Sequence, residues 1–274
     1  MRDRAGIVEP AARVLPYPLV TAMLQASSFH ETRHRAREFK FLVEPDTADR
    51  IETWARARLA PDPYGSGKSG DAYRTTSLYF DTPDFDVLHR RGSFGRSKYR
   101  IRRYETAAGT LFLERKLRTT AVLIKRRTAD GLDALARLST GGPQPGWAGE
   151  WFRRRLNVRS LRPACQVTYD RTARVGESPS GEFRLTLDRQ ILARSTEDFA
   201  FETGDETPVL DGSAIVEMKF RHGLPIVLKQ LVEEFALTPL PVSKYRLSLT
   251  ALQQIGETRD SVSTSACRVE GFGS

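Results

Sequence analysis

Cysteine, histidine and long apolar runs are scarce in this 274-residue sequence, and each shortage excludes a class of answers. Two cysteines, Cys165 and Cys267, cannot form the disulfide framework of a small secreted domain. Of the four histidines, two stand in His30-Glu31-Thr32-Arg33-His34, which has the H-E-x-x-H spacing of a zinc site. That chemistry needs a helix and a third ligand. Here the motif abuts a strand pattern, and only His89 and His222 remain, so zinc catalysis is not expected. No apolar run approaches the roughly 18 residues of a membrane-spanning helix. The stretch from Pro16 to Ala26 is short and interrupted, and no cleavage pattern follows it, which leaves a cytoplasmic location as the expectation. Gly65-Ser66-Gly67-Lys68-Ser69 looks like the end of a P-loop. The required first glycine is Asp62, however, and a helix pattern precedes it, so a plain loop is expected.

Charge is abundant, and it is uneven. Twelve basic residues lie between Arg91 and Arg127 against only Glu105 and Glu114, so this segment carries +10 of a chain whose net charge is +9. The protein is therefore not generally basic. It has one concentrated basic region, whose natural partner is a polyanion.

Periodicity places that region on strands. Alternation predicts eight of them, over 37–43, 73–81, 95–105, 110–118, 121–127, 162–174, 182–192 and 214–221. Helices are predicted from Asp46 as cap to Leu59, over 129–138, around Trp151 and Leu156, from Pro225 to Leu237, and from Ser243 as cap to Gln254. Helices interrupt the strands without a βαβ rhythm, which indicates an α+β fold with an antiparallel sheet. Residues 1–36 lack clear periodicity and are expected to be a lead-in. Residues 37–256 are expected to form the folded domain, and 257–274 a loose polar tail.

Side chains two apart on a strand share a face. One face of the 95–105 strand then carries Arg96, Lys98, Arg100 and Arg102, and the other Tyr99 and Ile101. Glu114 pairs in this way with Lys116, Lys125 with Arg127, Glu38 with Lys40, Glu217 with Lys219, and Arg184 with Asp188. Solvated faces of an ordinary sheet would explain one such strand. They explain many poorly, because cations two apart repel by roughly 2.5 kcal/mol at an effective dielectric of 20. Closing the sheet into a barrel would gather the charged faces in one lumen and leave the apolar faces for helices outside. Glutamates among the cations suit a divalent metal that bridges phosphates. Nucleic acid is not expected, since stacking aromatics are not interleaved with the basic residues.

Seven segments, in order, resemble the VTC domain of the triphosphate tunnel metalloenzyme superfamily, which also includes the CYTH triphosphatases. They are Glu38-Phe39-Lys40-Phe41, Ser77-Leu78-Tyr79-Phe80-Asp81, Lys98-Tyr99-Arg100-Ile101-Arg102, Leu113-Glu114-Arg115-Lys116, Tyr169-Asp170-Arg171-Thr172-Ala173, Val216-Glu217-Met218-Lys219 and Ser243-Lys244-Tyr245. The resemblance implies an eight-stranded antiparallel tunnel in which inorganic polyphosphate is made from ATP with a divalent metal, manganese or magnesium. It implies phosphate-binding roles for Lys40, Lys98, Arg100, Arg102, Lys116, Lys125, Arg171, Arg184, Lys219, Ser243 and Lys244. Arg100, Arg102, Lys116 and Glu217 would be catalytic, with Glu217 the metal ligand. Hydrolysis of inorganic or nucleoside triphosphates and passive polyphosphate binding are the competing functions. Ala36 stands where the triphosphatases open Glu-x-Glu-x-Lys, which speaks against the hydrolase branch. Pro241 stands where eukaryotic members would have a lysine, so that end of the tunnel is expected to be less cationic.

Overall fold

The computed structural model describes residues 30–34, 37–65, 70–118, 123–140 and 142–253. The tail beyond 257, Cys267, most of the P-loop-like segment and residues 1–29 lie outside them. In chain order the elements are β1 (His30–His34), β2 (Arg37–Val43), α1 (Pro45–Arg58), β3 (Ala60–Pro61), β4 (Ala72–Asp81), α2 (Asp86–His89), a 3-10 turn (Gly92–Arg96), β5 (Ser97–Tyr104), β6 (Thr110–Arg118), β7 (Leu123–Gly131), α3 (Asp133–Ser139), α4 (Glu150–Val158), β8 (Arg162–Gly176), β9 (Phe183–Ser195), β10 (Thr207–Pro208), β11 (Ala214–Phe220) and α5 (Ile226–Glu234). A further helix, α6, covers 244–253.

All eight predicted strands are present. Several boundaries differ from those expected, three of them for clear local reasons. Helix α1 begins two residues early, with Pro45 in its first turn and Glu44 at the cap in place of Asp46, since a proline there loses no helical hydrogen bond. Arg96 belongs to the 3-10 turn and is exposed, so β5 presents three cations on its charged face rather than four. The first helix expected after β7 starts at Asp133 because β7 runs on to Gly131. The lead-in also contains a strand: β1 pairs antiparallel with β7, His30 opposite Arg127. The zinc-like motif is thus extended, not helical.

One antiparallel sheet runs β1-β7-β6-β5-β4-β8-β9-β11-β2, with β10 on β9 and β3 on β8. Among the described residues β1 and β2 end this path and are not paired with each other. The sheet nonetheless rolls. Strands β6 and β2 are far apart along it, yet Lys116 Nζ lies 2.9 Å from Glu38 Oε2.

The apolar faces point outward under helices, in two clusters. Leu78, Ile101, Leu111 and Leu113 pack with Ala134, Leu138, Phe152 and Leu156 of α3 and α4. Phe41, Leu185, Val216 and Met218 pack with Ile51, Trp54, Leu228 and Leu231 of α1 and α5. Trp54 is core, as its helical position implies, and Trp151 packs half-buried at the edge of the first cluster.

Asp81 anchors the end of β4. Its carboxylate accepts the backbone N–H groups of Thr82 (2.7 Å), Val87 (2.8 Å) and Leu88 (3.0 Å) and the phenol of Tyr245 on α6. One buried side chain therefore caps α2 and ties α6 to the sheet. Asp81→Ala would orphan these buried donors at roughly 1–3 kcal/mol each, not fully additive. A drop of roughly 3 kcal/mol or more in urea-unfolding free energy is expected from the same principle. A loss below about 1 kcal/mol would show that water replaces the carboxylate.

A cation-rich cavity inside the sheet

The charged faces converge inside the roll on a cavity of about 340 Å³. Lys40, Lys98, Arg100, Arg102, Lys116, Lys125, Arg171, Glu217, Lys219, Ser243 and Lys244 all line it. Arg184 does not. It shares the face of Asp188 but sits further along β9, where its Nε meets Asp62 (2.8 Å) and its Nη2 meets the Tyr73 hydroxyl (2.7 Å). Its expected place in the lumen is therefore corrected to a tethered position beyond the cavity. Glu38 and Glu114, read from sequence only as acids on charged faces suited to a metal, also line the cavity, as do Tyr79, Tyr169 and Tyr245, to which sequence reasoning assigned no role.

Strand register explains the arrangement. Lys98 stands opposite Lys116, and Lys116 opposite Lys125, a cross-strand row of three lysines on β5, β6 and β7. In the next row Arg100 faces Glu114, which faces Arg127. Across the cavity Glu217 faces Lys40, and Lys219 faces Glu38. Like charges directly opposite destabilise a sheet; Glu38 offsets the charge of Lys116 and Glu114 that of Lys125, while Lys98 forms no ion pair among the described residues.

Buried carboxylates hold the inner cations in place. Glu114 accepts from Arg100 Nε (2.7 Å) and pairs with Lys125 (2.9 Å) and Arg127 (3.4 Å). Burial alone would push its pKa up, but Arg100, Lys125, Arg102 and Arg127 hold it well below the usual carboxylate range. Asp188, wholly buried, takes both Nε (2.6 Å) and Nη2 (2.8 Å) of Arg171 and also the Lys244 amine. It thereby fixes cations from β8 and α6 toward the same space. Glu217 meets Lys219 at 2.8 Å and Lys40 at 3.2 Å.

Among the described residues no group of three His, Cys, Asp or Glu side chains could by itself cage a metal ion. Two carboxylates do face the cavity together, since Lys219 Nζ lies 2.8 Å from Glu217 and 3.8 Å from Glu38. An ammonium between two carboxylates occupies the kind of position a cation takes. This donor set fits magnesium or manganese, which bind through one or two carboxylates plus substrate phosphates rather than an all-protein cage.

Lys98 differs from its neighbours. Burial, then the charges of Lys40, Arg246, Lys116 and Arg100, depress its pKa to about 7, and its Nζ donates to Ser243 Oγ at 2.7 Å. At pH 8 the amine is mostly neutral, and a bound polyanion would restore its proton. Polyphosphate binding at pH 8 should therefore take up a proton, seen as a calorimetric enthalpy that varies with the ionisation heat of the buffer. Well below pH 7 the amine is already charged and this uptake disappears. Lys98→Met should remove the pH 8 uptake, and an unchanged uptake would place the titrating group elsewhere.

A rolled antiparallel sheet with helices outside and cations inside is the class that the fold and cavity define. The chain belongs to the VTC domain family, which it matches over residues 35–253. Similar solved structures are remote. One is a candidate adenylate cyclase from Bacillus halodurans, 17% identical, covering 77% of this chain and 95% of that one, with a TM-score of 0.49. Another, from Hippeastrum, is described as a candidate adenylyl cyclase with a dominant triphosphatase activity; it is 16% identical, with 81% and 96% coverage and a TM-score of 0.44. A protein of Pyrococcus horikoshii is 14% identical, with 81% and 99% coverage and a TM-score of 0.45. No curated protein matches the sequence. No described helix is long and apolar enough to cross a membrane.

Proposed function

We propose that this protein is a polyphosphate polymerase that transfers the γ-phosphoryl group of ATP to the end of an inorganic polyphosphate chain. The observation that carries the reading is the cross-strand row Lys98, Lys116, Lys125 beside Arg100 and Arg102, facing one enclosed space. A linear chain of phosphates matches such an array in charge. Membership of the VTC domain family supports the choice of polyphosphate and ATP as ligands. The reading includes closure of the sheet into an eight-stranded barrel, with residues 37–256 as the working domain. It is supported by the contact of Glu38 on β2 with Lys116 on β6.

In this reading Arg100, Arg102 and Lys116 hold the triphosphate and stabilise charge on the transferring group. Lys40, Lys125, Arg171, Lys219 and Lys244 align donor and acceptor. The terminal oxygen of the acceptor chain attacks the γ-phosphorus in line, a new P–O bond forms, and ADP leaves with the electrons of the broken bond. Glu217, with Glu38 beside it, would hold a divalent ion, which would supply neutralisation of phosphate charge. The remaining catalytic work is positioning and electrostatics.

Incubation with ATP and manganese, followed by gel analysis for long polyphosphate, tests the reading. A ladder of long chains is expected. Orthophosphate release without chains would establish a triphosphatase instead, and no turnover with tight polyphosphate binding would establish a passive module. Binding should also weaken steeply with salt, by at least about tenfold between 50 and 500 mM, since several bound counterions are released. Affinity that stays flat across that range would remove the case for a cationic lumen.

A further inference from the structure

Most inner cations of the cavity have a carboxylate of their own. Lys40 and Lys219 share Glu217, Lys116 has Glu38, Arg100 and Lys125 share Glu114, and Arg171 and Lys244 share Asp188. A second group of cations at the α6 side of the cavity has none. Lys98, Arg246 and Arg90 form no ion pair among the described residues. Lys98 lines the cavity and is bonded to Ser243, and Arg246 follows Ser243 by three residues in the first turn of α6. Arg246 is half-buried, and its Nε is enclosed without a hydrogen-bond partner. Arg90 is exposed at the end of α2, two residues after Leu88, whose N–H shares the Asp81 carboxylate with Tyr245, the neighbour of Arg246.

Each of these placements is unfavourable for the protein alone. Arg246 occupies the first turn of α6, where the helix dipole disfavours positive charge. Arg90 holds φ 57°, a left-handed conformation that costs a long side chain about 1 kcal/mol or more and that glycine would adopt freely. Like charges in series repel without internal compensation. All three costs would be offset by one anion lying along the series.

We propose that Lys98, Arg246 and Arg90 form an outer phosphate station at the α6-side mouth, which grips the part of a long condensed-phosphate chain that extends beyond the cavity. The inference rests on the polyphosphate reading of the cavity and adds the mouth through which the chain runs. Neither Arg246 nor Arg90 lines the inner cavity, so on this proposal a chain of three phosphates held there does not meet them. A chain of about a hundred does. Chain length therefore separates the outer station from the inner one.

The test measures affinity of the full chain for tripolyphosphate and for polyphosphate of about 100 units, over a salt series. The variants are Arg90→Gln, Arg246→Gln and the double change. Arg221→Gln serves as a control, since Arg221 is exposed just after the end of β11 and its loss changes net charge equally. The double variant should bind the long chain about tenfold more weakly, with a salt slope lower by about two, roughly one per lost phosphate contact. Its tripolyphosphate affinity should change less than about twofold. Equal weakening toward both ligands, an equal effect from Arg221→Gln, or no effect at all would overturn the outer station. Wild-type protein that binds neither ligand would overturn the cavity reading itself.

Discussion

Glu217→Gln should abolish metal-dependent turnover while leaving polyphosphate binding intact. The residue is 6% exposed and sits on β11 with Lys219 at 2.8 Å and Lys40 at 3.2 Å. Burial pushes its pKa up, but Lys219, Lys40, Arg171 and Lys244 hold it well below the usual carboxylate range. It is therefore an anion at any working pH, as a ligand for a hard cation must be. Glutamine keeps the shape and removes the charge. If Glu217 holds the ion, turnover should fall by on the order of 10²–10³, the scale of losing one main electrostatic stabiliser. Metal-free polyphosphate affinity should persist or rise, because one negative charge has left a cationic cavity. The competing role is a salt bridge only. That role predicts a lower melting temperature with an unchanged metal dependence, since Lys40 loses its carboxylate and Lys219 retains only Glu38 at 3.8 Å. Metal-titrated turnover, polyphosphate affinity and melting temperature measured together separate the two. Wild-type turnover in the glutamine variant at ordinary metal concentration would end the metal-ligand assignment.

Strand parity made much of this site legible from sequence. The period of two set Lys98, Arg100 and Arg102 apart from Tyr99 and Ile101, and the first three line the cavity while the last two are core. What parity does not carry is position along a strand or the identity of the facing residue. Arg184 has the inward parity but lies past the cavity, against Asp62 in the loop after β3. Asp188, Glu38 and Glu114 were visible as acids on charged faces. Their importance lies in register partners on other strands, such as Arg127 opposite Glu114, that no local pattern names. Strand β1 escaped for the same reason: His30–His34 has no apolar alternation, and its pairing with β7 is a long-range matter. The lysine row is the clearest case, since three lysines from three strands line up only once β5, β6 and β7 are in register.

Arg100→Ala and Arg102→Ala should each cripple turnover, and Arg103→Ala should not. Arg100 and Arg102 project inward, where Arg100 bonds Glu114 (2.7 Å) and the Tyr79 hydroxyl (3.3 Å), and Arg102 bonds Ser77 Oγ (3.0 Å). Neither bond set uses every donor of its guanidinium, so both retain N–H groups for a ligand. Arg103 turns to the opposite face and stacks at 4.6 Å on Phe201, outside the cavity. Losing one donor to transition-state charge costs about 3–4 kcal/mol, on the order of 10²–10³ in kcat. The fold should survive each change. Without Arg100, Glu114 still has Lys125 at 2.9 Å and Arg127 at 3.4 Å. Without Arg102, the repulsion between it and Arg100 disappears, which offsets the lost bond to Ser77. Melting temperatures within a few degrees of wild type are therefore expected for all three variants, with kcat falling only for the inward pair and less than about threefold for Arg103. Equal losses at Arg102 and Arg103, with melting temperatures unchanged, would mean that the chemistry does not take place inside the sheet.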